Sequence, residues 1–142
     1  MRVRTMLLAD AVNTTAEGKI NLLGEFGVIF AAGFPARHAQ MWLWIQLEIE
    51  PKDIGRTVKT EVKLLDPDGK LLLSVERPFE VPPPPKPSVW KSGVNIIIPT
   101  QGLVFPAPGD YAFTFEVNGQ ELGRAPLALE RITELESGES TT

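Results

Sequence analysis

The chain of 142 residues has 14 basic and 18 acidic side chains, a formal net charge of −4, and no cysteine. The missing cysteines exclude disulfides, thiolate nucleophiles and cysteine-based metal sites, and the acidic balance offers no basic surface for nucleic acid. Hydrophobic residues make up 43% of the chain. That fraction supplies a core for one domain of this length, which buries about two-thirds of the unfolded surface.

Membrane and export signals are not expected. The apolar run at residues 5–9 ends at Asp10, and no apolar run reaches 18 residues. The run at residues 5–9 is too short for the apolar region of a signal peptide. A membrane-spanning helix needs an apolar run of about 18 residues or more. We therefore expect a cytoplasmic protein that makes no membrane contact.

The N-terminal third predicts extended chain with glycine interruptions. Residues 3–12 form the first predicted strand, with one face shared by Val3, Thr5, Leu7, Ala9 and Ala11. A turn follows at 14–18. Residues 20–30 continue as one predicted strand, in which Gly24 and Gly27 indicate a bulge or bend. Its apolar positions share one parity: Ile20, Leu22, Phe26, Val28 and Phe30.

Residues 31–40 are predicted as a loop around Phe34 and Pro35, and residues 41–50 are the clearest strand of the chain. Strict alternation is typical of a strand with one buried face. The apolar face is formed by Met41, Leu43, Ile45, Leu47 and Ile49. The other face is formed by Trp42, Trp44, Gln46, Glu48 and Glu50.

The central part predicts a hairpin. Strands at 56–65 and 70–81 flank the sequence DPDG, in which Pro67 presets φ and Gly69 takes a left-handed conformation. Val58, Val62 and Leu64 are predicted to face inward. The following run PPPPKP, at 82–87, is predicted as a stiff polyproline II connector, with an SH3-type ligand as the alternative.

The C-terminal part predicts a short strand at 94–98 and then a second hairpin. Tyr111, Phe113, Phe115 and Val117 alternate with smaller or polar residues, and Asn118 and Gly119 are typical of a type I′ turn. The partner strand covers 120–130. We predict one domain at 1–132 and a polar, flexible tail at 133–142.

About eight strands and no helical periodicity indicate an all-β protein, with single helical turns conceivable only near residues 36–38 and 51–53. Strands without helices must cover one another, which favours an antiparallel two-sheet β-sandwich over a barrel. The sequence PGDY at 108–111 resembles the start of the F strand in immunoglobulin-like domains, where a tyrosine packs at the corner. We therefore expect an Ig-like topology.

Catalytic and metal chemistry find little support. His38 is the single histidine and is predicted to be a loop residue that bonds backbone. Asp66 and Asp68 are expected to form a turn rather than a calcium loop, which needs more oxygen ligands. Glu48 and Glu50 lie about 7 Å apart on one strand face, a separation known in glycosidases, but solvated acids are the expected interpretation. We predict no catalytic residues, no metal and no cofactor.

Trp42, Trp44 and Trp90 are the candidate interaction surface, because two indoles on the outer face of a strand are costly to leave in water. Three explanations are open. The loops at 31–40 or 89–93 cover the indoles, with Trp90 joining them; the face is buried in a homodimer; or it is a ligand platform of the kind that stacks on sugars.

The order of motifs GKINLLG, FPARH, QGLVFPAPGDY and the terminal NG hairpin resembles a bacterial family of small cytosolic proteins known only as a domain of unknown function. The resemblance covers residues 7–130. It implies no assigned activity and no catalytic residue. Together with the residue patterns, it favours a non-catalytic binding or assembly module acting through protein–protein contacts, with a small-ligand or carbohydrate-binding module as the alternative.

Overall fold

The computed structural model describes residues 1–83 and 93–132. This part of the chain forms nine strands and one 3₁₀ turn, at Pro51–Asp53. The strands are β1 Arg2–Thr14, β2 Ile20–Phe26, β3 Val28–Ala31, β4 Ala36–Glu48, β5 Thr57–Leu65, β6 Leu71–Glu80, β7 Val94–Phe105, β8 Gly109–Val117 and β9 Gln120–Arg131.

The strands form two sheets, as predicted for a β-sandwich. One sheet has the order β2-β1-β4-β7 and the other the order β3-β9-β8-β5-β6. Neighbouring strands are antiparallel except for β3 and β9, which are parallel. The described residues contain no helix long and apolar enough to cross a membrane.

The core lies between the inner faces of the two sheets. The four-stranded sheet contributes the predicted apolar face of β4, together with Leu8 of β1. The five-stranded sheet contributes aromatic residues of β8 and leucines of β9. Twelve large side chains are less than 2% exposed: Tyr111, Phe105, Phe113, Phe115, Leu8, Met41, Leu43, Ile45, Leu47, Leu64, Leu127 and Leu129.

Both predicted hairpin turns are confirmed. Asn118 and Gly119 both have positive φ, 50° and 83°, as a type I′ turn requires. In the DPDG turn, Gly69 has φ 82°, and the Asp66 carboxylate accepts hydrogen bonds from the backbone N–H groups of Asp68 and Lys70 at 2.9 and 2.8 Å. Asp66 and Asp68 therefore form a turn.

Tyr111 forms the corner expected of an immunoglobulin-like domain. Its hydroxyl donates a hydrogen bond of 2.6 Å to the carbonyl oxygen of Ala107, four residues upstream, and accepts one from the Ala107 N–H at 3.2 Å. Its ring packs edge-on against Phe105, with centroids 5.1 Å apart. The aromatic pair is fully buried and fixes the entry to β8.

The prediction of one continuous strand at 20–30 is wrong in one respect. Gly27 separates β2, in the four-stranded sheet, from β3, in the five-stranded sheet. The chain crosses between sheets here, so the inward parity changes: Ile29 is buried, whereas Val28 and Phe30 are exposed. The predicted bend at the glycines is correct, but at this bend the chain also passes from one sheet to the other. The number of strands rises to nine for this reason.

The inward parity of β1 also differs from the prediction. Met6, Leu8 and Val12 face the core, and the odd positions beyond residue 4 face outward. Val3 alone of the predicted set packs on the core, because the pairing of β1 with β4 shifts between Val3 and Thr5. A bulge of this kind moves every following side chain to the other face.

Two predicted boundaries are wrong around the pairing of β4 with β7. β4 begins at Ala36, so residues 36–40 belong to a strand, and neither the predicted loop nor a helical turn at 36–38 occurs there. β7 extends to Phe105, where it pairs with Ala36 of β4. Pro99 fits inside this strand because β7 is the edge of its sheet. The predicted turn at Pro51–Asp53 is correct.

The Asp53 carboxylate is buried at the end of the 3₁₀ turn and is surrounded by donors. It accepts a hydrogen bond from the Glu50 N–H at 3.0 Å and pairs with the Met1 amino group at 3.0 Å and with Arg56 at 3.3 Å. Burial by itself disfavours the charged form, but these donors outweigh it, so the pKa of Asp53 lies below its ordinary value of 3.8.

Gly119→Val should destabilise the protein by more than about 1 kcal/mol, because a β-branched residue resists positive φ. A Cβ at position 119 meets no atom within 4 Å, so the cost comes from the backbone alone. Urea denaturation measures the change. The matched control is Gly33→Val, where a Cβ also has open space but φ is not positive. An unchanged midpoint for Gly119→Val contradicts the turn assignment.

Asp53→Asn should lower the free energy of unfolding at pH 7 by about 1–3 kcal/mol, because charge-assisted hydrogen bonds are lost in a buried place. A depressed pKa in the folded state means that this stability is present above about pH 4 and is lost as the pH falls through the folded pKa. The difference between wild type and variant should therefore shrink below pH 4.

Urea denaturation between pH 2.5 and 7 measures this difference. Asp68→Asn, at an exposed carboxylate of the DPDG turn, is the control and should leave the profile close to that of the wild type. A constant difference between wild type and Asp53→Asn across this range contradicts the assignment.

Candidate interaction surface

Trp42 and Trp44 lie on the outer face of the four-stranded sheet, as the alternation of β4 predicts, and both are half-buried. Trp42 is paired with Ala9 of β1 and Pro99 of β7. Trp44 is paired with Leu7 and Ile97. One strand further out, Ala11 is paired with Leu23 of β2. We define the tryptophan face by eight residues: Leu7, Ala9, Ala11, Leu23, Trp42, Trp44, Ile97 and Pro99.

The tryptophan face crosses all four strands of its sheet. Leu23, at its β2 edge, is 68% exposed, while Ala9, beside Trp42, is completely buried by its larger neighbours. Apolar side chains on adjacent strands are close enough to form a continuous surface. The two indoles are therefore the centre of an apolar strip rather than isolated aromatic residues.

Trp44 is held in place by a side-chain hydrogen bond. Its indole N–H donates to the Oδ1 atom of Asn95 in β7 at 2.9 Å, and the same oxygen accepts from Gln46 at 3.3 Å. The polar edge of the indole is thus satisfied within the chain. What Trp44 offers to a partner is its apolar ring.

Polar groups border the strip at both ends. At one end Asn21 donates to Asn13 at 2.9 Å. At the other end Glu48 pairs with Arg2 and Arg4. The hydrogen bond from Arg2 lowers the pKa of Glu48 below its ordinary value, against the effect of desolvation. An apolar centre with a polar border is the usual composition of a protein interface.

The outer face of the five-stranded sheet is different in chemistry. Lys63 of β5 pairs with Glu116 of β8 at 2.7 Å and with Glu61 at 3.9 Å. The hydrogen bond to Glu116 raises the pKa of Lys63 above its ordinary value despite desolvation. Charged pairs at these positions are typical of a face that stays in water.

The other predicted members of the site are placed as follows. Trp90 lies outside the described residues, as do the loop at 89–92 and most of the polyproline run. Gly93, the first described residue after them, lies against the backbone of Leu47 and the side chain of Gln46. Residues 36–40 of the predicted loop at 31–40 belong to β4 itself and form no loop over the indoles.

The candidate chemical groups do not converge. Glu48 pairs with Arg2 and Arg4, and Glu50 pairs with Lys52 at 3.3 Å. His38 lies in β4 rather than in a loop, and the prediction that it bonds backbone is wrong for its Nε2 atom, which has no partner in the described part. Residues 1–83 and 93–132 contain no group of three or more metal-binding side chains.

Fold and surface define a small all-β protein with an aromatic sheet face. The chain belongs to the family of unknown function DUF6941, whose sequence profile matches residues 4–130. This confirms the predicted resemblance. No curated protein matches the chain.

One similar solved structure is that of the Pseudomonas fluorescens alkylpurine DNA glycosylase AlkC bound to DNA containing an abasic site analog. It is 15% identical, with a TM-score of 0.41, and the match covers 88% of this chain and 30% of that chain. This chain therefore corresponds to less than a third of the glycosylase chain, and at this score the likeness carries no functional meaning.

Asn95→Ala should destabilise the protein by about 1 kcal/mol, because the Trp44 indole N–H and the Gln46 amide lose their common acceptor in a half-buried place. Thermal and urea denaturation measure the effect. Asn21→Ala breaks an exposed bond of equal length and is the matched control, with an expected change below about 0.5 kcal/mol. Equal effects of the two variants contradict the proposed anchoring of Trp44.

Proposed function

We propose that this protein is a non-catalytic, cytoplasmic assembly module that forms a homodimer through the tryptophan face. The observation that carries the proposal is the position of Trp42 and Trp44, half-buried at the centre of an apolar strip that crosses four strands. Tryptophan is among the residues that most often dominate the binding energy of protein interfaces.

The size of the sheet supports an interface. Strands lie about 4.8 Å apart. Three of the four have twelve or thirteen residues and are about 40 Å long, and β2 has seven and is about 23 Å long. The whole outer face therefore measures roughly 700 Å², close to the area of about 800 Å² that each partner contributes to a standard protein interface.

Charge supports a second copy as the partner. A two-fold interface brings each patch against the same patch of the partner, so any net charge in it is repelled by its own copy. The eight residues of the tryptophan face are uncharged, and Glu48 at its border is already paired with Arg2 and Arg4. Glu25, paired with Ala9 at the exposed β2 edge, is the charged neighbour in the row of Trp42. The charged outer face of the other sheet is less suited to self-association.

A platform for a small ligand or carbohydrate is the second candidate, since two indoles about 7 Å apart on one strand can both stack on an extended ligand. Carbohydrate recognition also needs polar groups beside the rings. Asn95 and Gln46 are the amides closest to Trp44, but they bond with the indole and with each other. The aliphatic neighbours of the indoles favour a protein surface.

Sedimentation equilibrium at micromolar concentration tests the dimer. We expect twice the chain mass of 15.6 kDa for the wild type. Trp42→Glu should increase the dimer dissociation constant by about tenfold or more, because it places a charge at the centre of each copy's apolar strip. A clean monomer at these concentrations would discard the dimer.

Leu72→Glu is the matched control. Leu72 lies in β6, outside the tryptophan face, and is 37% exposed. It receives the same new charge on an exposed apolar side chain, so its dissociation constant should equal that of the wild type. If both variants dissociate equally, the interface lies elsewhere or the effect is one of net charge.

A further inference from the structure

The outer face of the five-stranded sheet is apolar at the end that lies beside the DPDG turn. Residues from all five strands meet there, and we define them as the apolar band: Val28, Leu65, Leu71, Ala112, Pro126 and Ala128. We propose that the apolar band binds an amphipathic helix of a partner protein, with lysine or arginine on the polar side of that helix.

Cross-strand pairing makes the apolar band continuous. Ala112 of β8 is paired with Pro126 of β9 on one side and with Leu65 of β5 on the other. Leu65 is in turn paired with the first residue of β6. Val28 of β3 is paired with Ala128, which follows two residues after Pro126 in β9 and therefore lies on the same face. The six side chains are thus neighbours on one surface.

The large residues at both ends of the apolar band are exposed. Val28 is 40% exposed and Leu71 is 50% exposed. Beside the band, Phe30 of β3 is 60% exposed and Leu72 of β6 is 37% exposed. Four of the six exposed large apolar residues in the part of the chain that the structure describes therefore lie in the two edge strands of this sheet. Exposed apolar residues that lie together mark an interaction surface.

The dimensions of the apolar band fit a helix. The five strands span four intervals of about 4.8 Å, so the band is about 19 Å long. A helix of about 13 residues has this length. The middle of the band is formed by the small residues Ala112, Pro126 and Ala128, with larger side chains at its ends. A helix that crosses the strands can approach the small residues closely, as in other helix-binding grooves.

Acidic residues border the apolar band on the side of the DPDG turn. Asp110 precedes the band in β8, Glu130 follows it in β9, and both are exposed. Asp66 and Asp68 lie in the turn that joins the band's members in β5 and β6. The start of β8 lies against this turn, because a Cβ atom on its first residue would be 2.6 Å from the Pro67 ring. The four acidic residues thus lie along one border.

Basic side chains near the apolar band do not balance this border. Lys63, on the opposite side of the band, pairs with Glu116 at 2.7 Å. Arg124, on the same side as Lys63, pairs with Glu121 at 3.0 Å. Lys70 adds one positive charge to the DPDG turn, and the four acidic residues form no ion pair within residues 1–83 and 93–132. An acidic border repels a second copy of itself and attracts a basic helix.

Titration of the ¹⁵N-labelled protein with a designed helical peptide tests the proposal. The peptide has blocked ends and about 14 residues, with leucine and alanine on one face and lysine on the other. One control peptide carries glutamate in place of lysine, and the other has the same composition without an apolar face. We expect saturable shifts of the amide signals of Val28, Leu71, Ala112 and Ala128 with the lysine peptide.

Both control peptides should bind about tenfold or more weakly than the lysine peptide. Equal binding of the glutamate peptide, shifts confined to another surface, or no saturable shift with the lysine peptide would overturn the proposal.

Val28→Ser should weaken binding of the lysine peptide by about threefold or more, because it removes apolar contact area. Val104→Ser is the matched control, since Val104 is 47% exposed and belongs neither to the apolar band nor to the tryptophan face. Asp110→Asn should weaken binding by about twofold or more, with a smaller effect at high salt. Glu17→Gln, in the turn between β1 and β2, removes a negative charge elsewhere and should bind as the wild type does. Equal affinities of the two valine variants would overturn the proposal.

The proposed dimer is tested separately, because the tryptophan face lies on the other sheet. Trp42→Glu should bind the lysine peptide as the wild type does, and loss of binding in this variant would overturn the assignment to the apolar band. Dilution of the wild-type protein without peptide should leave the amide signals of the band unchanged. A change on dilution that is confined to the band would assign it to a second copy and overturn the proposal.

Discussion

The hydrophobic core shared by β4 and β8 is the interaction on which the rest of the structure depends. β4 lies between β1 and β7 in its sheet, and its inner residues Leu43 and Ile45 share one buried core with Phe113 and Phe115. Each such side chain contributes about 1.5–3 kcal/mol when fully buried. Because strand side chains alternate, the burial of one face of β4 forces its tryptophans onto the other.

The burial of the inner face of β4 is sufficient to place Trp42 and Trp44 on the outer face of the sheet. A shift of one residue in the pairing of β4 would bring Trp42 and Trp44 toward the core and expose the apolar inner face. The two-sheet core therefore determines the register, and the register determines which side chains of β1 and β7 lie beside the indoles. Core packing thus determines which residues form the tryptophan face. The hydrogen bond between Asn95 and Trp44 then fixes the orientation of one indole.

The crossing at Gly27 has a comparable effect on the opposite edge of the sandwich. β2 leaves the four-stranded sheet and continues without a hairpin as β3, which is why β3 pairs with β9 in parallel. The same crossing buries Ile29 of β3 and leaves Val28 and Phe30 exposed.

Local residue patterns were sufficient for much of this fold. Alternation in residues 41–50, the DPDG and NG turns and the PGDY corner predicted the strand type, both hairpins, the tyrosine corner and the outward position of Trp42 and Trp44, since these depend on neighbours in sequence. Periodicity also indicated a two-sheet sandwich, because strands without helices must cover each other.

Only the tertiary structure decided which strands lie side by side. Leu7, Leu23 and Ile97 are far apart in sequence and join Trp44 only through the lateral order β2-β1-β4-β7, which no local pattern contains. The same holds for the parity change at Gly27, the extension of β7 along a sheet edge and the placement of His38 beside Phe26. Each depends on long-range pairing, where the burial of a whole sheet outweighs the preference of any single residue.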